Sequence, residues 1–383
     1  MKIFKISITA GLAMFSMFFG SGNMVFPIKL GVENSLSILP AMLGLLITGV
    51  LIPFLGLYGI IQYKGYSGKY FDVISKTAAQ VLIFLMLALL GPLGVIPRCI
   101  TVATGGMQLV LHEIPEYVFS LFFCLTIYYL LITKVGVVQL LGKFLSPLLF
   151  CGLVVIIIAG IYDCPSISDK IIPRTDSESF ISGVLMGYHT MDLMAAFFFG
   201  VSISFYLIKK QKENQLSGNE FKKTIVGSSI IGGGLLGVIY VGFVYLGGKY
   251  SFDLATISSE KLIVHLADIT LGGVARPIAA VTIFMACFTT AIVLTQTFCK
   301  YIEQNIFKSE SRYILQGTVL ISFLISLFGF KAISVYLAQI LGIMYPGIIA
   351  IALLNLMTRK HDLLKRCIFW IVIVLTTVTA IYS

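Results

Sequence analysis

Several residues suited to ion chemistry lie inside strongly apolar stretches of this sequence. Asp192 is the only acidic residue well inside such a stretch. A carboxylate at the centre of a membrane helix costs roughly 2.5–3.5 kcal/mol on insertion scales, so it must face a partner, water or an ion. Asp192 is therefore a candidate for cation coupling, for proton carriage, or for clamping unwound backbone. The alternative is a satisfied hydrogen-bonding group between helices. His189, one helical turn earlier, is a candidate proton relay, although a hydrogen-bonding fixture is the favoured interpretation.

A second group has the spacing of one helical face. Ala286, Thr289 and Thr290 stand at positions i, i+3 and i+4, which places them on the same side of a helix. One backbone carbonyl and two hydroxyls form a set of hard oxygen ligands suited to an alkali cation. The alternative is that each threonine donates to the carbonyl four residues before it.

The first apolar stretch is interrupted in its middle by glycine, serine, asparagine and proline, over residues 20–27. Every backbone polar group in lipid needs a partner within the protein, so such breaks are tolerated mainly where they line a cavity or bind something. Asn23 can offer its amide oxygen to Na+ or its NH2 group to a ligand, and it can equally cap a half-helix. A second break is predicted at Gly187 to Asp192.

Arg98 lies toward the predicted outer end of the third apolar stretch. Long basic side chains near a helix end extend to the membrane interface, or they pair with an acid. We therefore expect Arg98 to extend to the interface or to pair with an outer acid such as Glu113. A role in an outer gate is the alternative interpretation.

The composition predicts an integral membrane protein built from helices. Of the 383 residues, 58% are hydrophobic and only 11% are charged, whereas a soluble domain has roughly 25% charged residues. Segments of about 20 apolar residues cross a bilayer as helices. About eleven such spans are predicted, at residues 6–27, 38–62, 79–109, 115–133, 144–162, 180–207, 224–248, 277–307, 313–330, 332–355 and 366–382.

The net charge of +10 follows the membrane topology and does not indicate nucleic acid binding. If the N-terminus is cytoplasmic, nineteen of the 27 Lys and Arg residues fall in cytoplasmic segments and seven on the other side. This bias is the positive-inside pattern. No H-E-x-x-H, Walker A or G-x-S-x-G motif occurs in the sequence, so neither an enzyme nor an ATP-driven pump is predicted.

The first ten spans divide into two sets of five, over residues 1–162 and 180–355, followed by one more helix in 356–383. Five spans is an odd number, so the second set begins on the opposite side of the membrane, as in an inverted repeat. The two interrupted spans are the first of each set. Breaks at corresponding positions of two inverted repeats are the best sequence indication of a transporter's binding site.

Four segments resemble the bacterial branched-chain amino acid:cation symporters of the BrnQ type. Residues 11–27 resemble the family's opening signature, and residues 90–98 its third-helix motif. Residues 187–192 with Ala195 and Ala196 resemble its sixth-helix motif, and residues 286–291 its eighth-helix motif. The resemblance implies a LeuT-type fold and alternating access in the bacterial cytoplasmic membrane. It implies uptake of leucine, isoleucine or valine driven by Na+ or H+.

The resemblance also implies roles for individual residues. Substrate-binding positions are Gly20, Ser21, Gly22, Asn23, Gly187, Tyr188, Met191 and Phe198. The Na+ ligands are expected among Ser16, Phe19, Ala286, Thr289 and Thr290. Apart from the resemblance, the residue types themselves make Asp192, His189 and Arg98 the candidate coupling or gating positions, and His189 departs from the family pattern, in which an apolar residue is expected there. The family implies twelve spans, one more than the eleven predicted here. Membrane lipid is the expected surrounding, no organic cofactor is expected, and the oligomeric state is open. A same-fold symporter for another solute, or an amino acid sensor that does not transport, remains an alternative.

Overall fold

The computed structural model describes residues 2–65, 67–111, 114–133, 137–162, 174–273, 275–309, 311–357 and 362–382, with the side chains of these ranges except at 2, 67 and 137–149. All regular secondary structure in these ranges is helical. The α-helices are α1 Lys2–Phe18, α2 Ser21–Glu33, α3 Ile38–Leu46, α4 Ile52–Gln62, α5 Ser67–Phe71, α6 Lys76–Leu90, α7 Val95–Gln108, α8 Glu116–Ile132, α9 Val137–Tyr162, α10 Asp176–Thr190, α11 Asp192–Glu213, α12 Gly218–Lys249, α13 Ser251–Leu254, α14 Leu262–Leu271, α15 Ala275–Ile302, α16 Arg312–Ser326, α17 Gly329–Met357 and α18 Asp362–Tyr382.

The helices agree with the predicted spans. Within the described ranges, seven helices are long and apolar enough to cross a membrane, and the bent pair α1–α2 makes an eighth span. Three shorter apolar helices stand at the positions of the fourth, fifth and ninth predicted spans. The second span, predicted at 38–62, is the helix Ile38–Gln62. The prediction of an all-helical, multi-pass membrane protein is confirmed.

Both predicted breaks are present, but each is shorter than the sequence suggests. The helices α1 and α2 meet at 74°, and the interruption is limited to Phe19 and Gly20, because α2 continues through Pro27. The second break is the single residue Met191, which has a left-handed backbone (φ 59°) between α10 and α11. Gly187 and Tyr188, expected on unwound backbone, instead belong to α10.

The structure also contains two irregular segments that the sequence analysis does not predict. Residues 91–94 separate α6 from α7, so the third span is discontinuous as well. A π-helical turn at Ile47–Leu51 joins α3 to α4 within the second span. Wide turns of this type are often found at functional sites. This one contacts α10, just before the second break.

The two predicted halves pack against each other reciprocally. The interrupted span α1–α2 runs along α12, which is the second span of the other half, and the interrupted span α10–α11 runs along α3 and α4. Glycines allow both approaches. A Cβ at Gly183 on α10 would lie 2.0 Å from the carbonyl oxygen of Ala41, and one at Gly247 on α12 would lie 2.1 Å from that of Ile28. Small residues permit this close backbone contact between membrane helices.

Hydrogen bonds connect distant parts of the chain at both ends of the bundle. At one end, Arg366 donates to the carbonyl oxygen of Val73 (3.2 Å) and Asn355 donates to that of Tyr70 (3.0 Å). At the other end, Ser37 donates to the carbonyl oxygen of Arg174 (3.3 Å). The connections at each end therefore come from both halves of the chain.

We predict that the α10–α3 contact tolerates no side chain at Gly183. In Gly183→Ala the new methyl group would overlap the Ala41 carbonyl, and overpacking of this kind costs about 1–3 kcal/mol. The melting temperature of the detergent-purified protein should fall clearly. The matched control is Gly317→Ala on α16, where a Cβ meets nothing within 4 Å and the higher helix propensity of alanine should be neutral or stabilising. Equal melting temperatures for the two variants would contradict the tight contact.

Candidate functional site

The two helix breaks meet at a cluster of three buried polar side chains. Asn23 Nδ2 lies 2.9 Å from both carboxylate oxygens of Asp192 and 2.5 Å from the hydroxyl oxygen of Tyr240. The Tyr240 hydroxyl donates to Asp192 Oδ2 (2.6 Å). Asp192 is only 1% exposed, so these hydrogen bonds take the place of water around its carboxylate.

Local backbone structure fixes the orientation of this cluster. The N–H of Gly20 donates to Asn23 Oδ1 (3.0 Å), so the NH2 group of the same amide turns toward Asp192. Asp192 is the first residue of α11, where the helix dipole favours a negative charge. The N–H of Leu193, next to it, donates to the hydroxyl of Tyr345 on α17 (3.1 Å). The cluster therefore joins three separate helices and satisfies groups at both breaks.

Arg98 occupies a position that the sequence analysis does not predict. Its side chain is fully buried, at 0% exposure, so the interpretation of a side chain that extends to the interface is wrong. The Gly91–Gly94 break ends α6 and starts α7, and this places Arg98 within the bundle, beside the second helix break. Nη1 donates to the carbonyl oxygen of His189 (2.8 Å), and Nη2 lies 3.1 Å from Met191 Sδ. The proposed partner Glu113 lies outside the described residues.

The second break is held by packing as well as by polar contacts. Gly187 has no room for a side chain, because a Cβ would lie 2.0 Å from Thr48 Oγ1 on the π-helical turn. Tyr188 stacks on Tyr345, with ring centroids 4.6 Å apart. Thr190 donates back to the carbonyl oxygen of Gly187 (2.9 Å). Gly187 therefore allows α10 to approach the π-helical turn, and the Tyr188 ring packs beside the break.

The first break faces α15. A Cβ at Gly20 would lie 3.3 Å from Cγ2 and 3.7 Å from Oγ1 of Thr290. The Thr289 hydroxyl donates to the Ala286 carbonyl oxygen (3.0 Å). The Phe19 N–H donates to the carbonyl oxygen of Phe15 (3.0 Å), whereas the N–H of Gly20 donates to the Asn23 side chain, so the helical hydrogen bonding of α1 ends at Phe19.

The structure brings most of the predicted site residues together. Gly20, Asn23, Asp192 and Thr290 surround the junction of the two breaks. The Ser21 hydroxyl accepts from the thiol of Cys99 on α7 (3.4 Å), and a Cβ at Gly22 would lie 3.5 Å from the carbonyl oxygen of His189. Phe198 lies farther along α11, partly buried against the core.

Tyr240, Tyr345 and Cys99 are site residues that the sequence analysis does not identify. Each is a lone polar or polarisable residue in an apolar span, and such residues more often pack in a core. Among the described residues, no group of three or more His, Cys, Asp or Glu side chains is arranged to bind a metal ion.

A cleft leads toward the second break. Its volume is about 480 Å³, and it is lined by charged residues where α2 ends and α10 begins, among them Glu33, Arg174 and Glu178. His189 lines the same cleft and stacks against Phe26, with ring centroids 5.1 Å apart. His189 therefore connects the cleft to the junction of the two breaks.

Comparison with solved structures identifies the fold. The chain aligns with the inward-facing conformation of Mhp1 at a TM-score of 0.66 with 10% identity, covering 94% of this chain and 77% of that one. A Na+-coupled sialic acid symporter in a substrate-bound outward-open state aligns at 0.53 with 16% identity, covering 98% and 90%. These similarities show a LeuT-type fold.

Comparison of sequences identifies the family. A protein of Staphylococcus aureus (strain USA300), provisionally named as a branched-chain amino acid carrier protein, is 27% identical over 390 residues, covering 97% of this chain and 86% of that protein. The sequence profile of the family described as "Branched-chain amino acid transport protein" matches residues 4–383. The chain is therefore a membrane transporter and not an enzyme, and it belongs to the branched-chain amino acid transport protein family.

Proposed function

We propose that this protein imports leucine, isoleucine and valine by symport with Na+. One observation carries the proposal: the two interrupted helices meet, and Asn23 and Asp192 join them by hydrogen bonds. In transporters of this type, interrupted helices surround the substrate and the coupling ion near the middle of the membrane. Membership of the branched-chain amino acid transport protein family supports the substrate class.

The proposed substrate site uses backbone at the breaks for the polar end of the amino acid. The N-terminus of α2, which follows Gly20, offers the N–H groups of Ser21, Gly22 and Asn23 to a negative charge. The second break, where α10 ends and α11 begins with Asp192, offers carbonyl and carboxylate oxygens to the ammonium. Tyr188, Met191 and Phe198 supply apolar surface for a branched side chain, and Gly187 allows α10 to lie close enough. Since one methylene is worth about 1–3 kcal/mol in such a pocket, the three substrates should compete.

The proposed cation site lies between the end of α1 and α15. Carbonyl oxygens at Ser16, Phe19 and Ala286 and the hydroxyls of Thr289 and Thr290 form its ligand set. Hard oxygen ligands at the C-terminal end of a half-helix are the usual environment of a coupling Na+. The proximity of Thr290 to Gly20 supports the site. H+ is the alternative coupling ion, with Asp192 as the carrier and His189 as its neighbour.

We further propose alternating access between two inverted repeats, at 1–162 and 180–355, with α18 in 356–383 added to this core. The reciprocal packing of each interrupted span on the second span of the other half supports this division. The charge bias of the loops supports a cytoplasmic N-terminus in the bacterial cytoplasmic membrane. The cleft beside His189 would then open on the outer side.

We predict that purified protein in proteoliposomes accumulates labelled leucine when a Na+ gradient is imposed. Unlabelled isoleucine and valine should inhibit this uptake, whereas nucleobases should not. A proton gradient without Na+ should drive little uptake, because the proposed ligands are neutral oxygens. Uptake with a proton gradient alone would assign the coupling to H+. Saturable leucine binding without accumulation under either gradient would contradict transport.

We predict that Thr289→Val and Thr290→Val raise the Na+ concentration needed for half-maximal leucine uptake. Each variant removes one oxygen ligand, and a loss of about 1.4 kcal/mol corresponds to a tenfold weaker affinity. The control is Thr282→Val on the same helix, where the hydroxyl is exposed and donates to Ile278 (2.7 Å). If all three variants keep the wild-type Na+ dependence, these threonines do not bind the cation.

We predict that Asp192→Asn impairs transport more than it impairs folding. The new amide can turn only one oxygen toward the donors of Asn23 and Tyr240, so a buried donor is left unsatisfied at a cost of about 1–3 kcal/mol. Tyr240→Phe removes one donor to Asp192 and should show a smaller defect of the same kind. The control is Tyr245→Phe on α12, where the ring is 42% exposed. Leucine uptake by Asp192→Asn at the wild-type rate would remove Asp192 from the mechanism.

A further inference from the structure

Arg98 is a buried positive charge without a carboxylate partner among the described residues. Its side chain has no exposed surface, and none of the ion pairs in the described part of the chain includes it. A buried ion is costly unless it is paired and fully hydrogen-bonded. Such a group inside a membrane protein indicates a functional site, with a partner to be identified.

The hydrogen bonds of Arg98 leave most of its donors unused. A guanidinium carries five N–H groups in a planar fork. In this structure Nη1 donates to the backbone carbonyl oxygen of His189. Nη2 contacts only the sulfur of Met191, which is a weak acceptor. Nε has no hydrogen-bond partner, and neither has Nδ1 of His189 beside it. Capping the end of α10 therefore accounts for only one of the five donors.

The guanidinium lies where the two breaks and the cleft meet. It contacts His189 and Met191 at the second break, and its central carbon lies 5.2 Å from the ring centroid of Phe26 on α2. The His189 carbonyl that it binds is also 3.5 Å from a Cβ placed on Gly22. Arg98 is therefore close to the N-terminal turn of α2, and His189 lines the cleft that approaches this point.

We propose that Arg98 binds the α-carboxylate of the transported amino acid, together with N–H groups at the start of α2. This inference rests on the proposed function, since it assigns one end of the same substrate. A carboxylate is planar and accepts two parallel hydrogen bonds, so its geometry matches that of the guanidinium fork. It is the single anionic group of a branched-chain amino acid. The substrate carboxylate would supply the ion-pair partner that Arg98 lacks among the described residues.

The position of Asp192 supports the same orientation of the substrate. Asp192 is held on the α11 side of the second break by Asn23 and Tyr240, whereas Arg98 approaches from α7 on the α10 side. The site therefore contains one fixed positive and one fixed negative group on different helices. A zwitterionic amino acid, with its carboxylate toward Arg98, is the class of ligand that complements both charges.

The test compares leucine with two analogues that each lack one charged group. These are 3-methylbutylamine, which is leucine without its carboxylate, and 4-methylpentanoate, which is leucine without its ammonium. Affinities are measured by ligand-induced thermal stabilisation of the purified full-length protein. In Arg98→Gln we expect leucine affinity to fall about 10- to 100-fold, the range for losing a charge-assisted hydrogen bond, while the affinity for 3-methylbutylamine stays the same. The wild-type preference for leucine over the amine should therefore largely disappear.

The matched control is Arg366→Gln, on α18 at the far end of the bundle, where Nε donates to Val73 (3.2 Å). It should keep the wild-type preference. A parallel loss of affinity for leucine and the amine in Arg98→Gln would overturn the proposal and leave Arg98 a structural cap. If Arg98→Gln does not fold, Arg98→Lys decides by the same comparison, since lysine keeps the charge and loses the fork. Absence of leucine binding by the wild-type protein would instead contradict the proposed function itself.

Discussion

The hydrogen bonds from Asn23 to Asp192 connect the two interrupted helices, and the rest of the site depends on them. Interrupted helices expose backbone groups where the surrounding lipid offers no partners. At the first break, Asn23 Oδ1 supplies one such partner, because it accepts a hydrogen bond from the backbone N–H of Gly20. Its other end reaches Asp192, the first residue after the second break. A single amide therefore fixes the relative position of both breaks, and Tyr240 completes the set of donors around the carboxylate.

That junction requires the helices to approach closely, which glycines make possible. Gly183 and Gly187 bring α10 against α3 and the π-helical turn, and Gly247 brings α12 against α2. Each contact joins an interrupted span to the second span of the other proposed repeat, so the site depends on residues from both segments of the chain. A side chain at Gly247 would separate α12 from α2, which carry Tyr240 and Asn23, and a side chain at Gly183 or Gly187 would displace α10, which leads into Asp192.

The sequence was sufficient to predict the features that depend on one segment at a time. Apolar length predicted the spans, and the polar and glycine residues at 20–23 and 187–192 predicted both breaks. Asp192 was predicted to have a partner or a function because an acidic side chain in lipid is energetically costly. What the sequence could not predict depends on which helices face each other. Tyr240 becomes a site residue only because α12 runs along α1 and α2, and Arg98 is buried because the third span breaks just before it.

The proposed role of Arg98 also explains how a ligand would act on the conformation. Arg98 belongs to α7, which packs along α15, while its acceptor His189 belongs to the interrupted span α10–α11. The hydrogen bond between them therefore crosses the boundary at which one group of helices would move against the other. A substrate carboxylate would engage the donors that the His189 carbonyl leaves unused, so Arg98 would hold the ligand and the end of α10 together. A ligand shifts a conformational equilibrium only through contacts that differ between the two states. In this arrangement, a bound carboxylate would favour the state in which α7 and the end of α10 lie close enough to share it through Arg98.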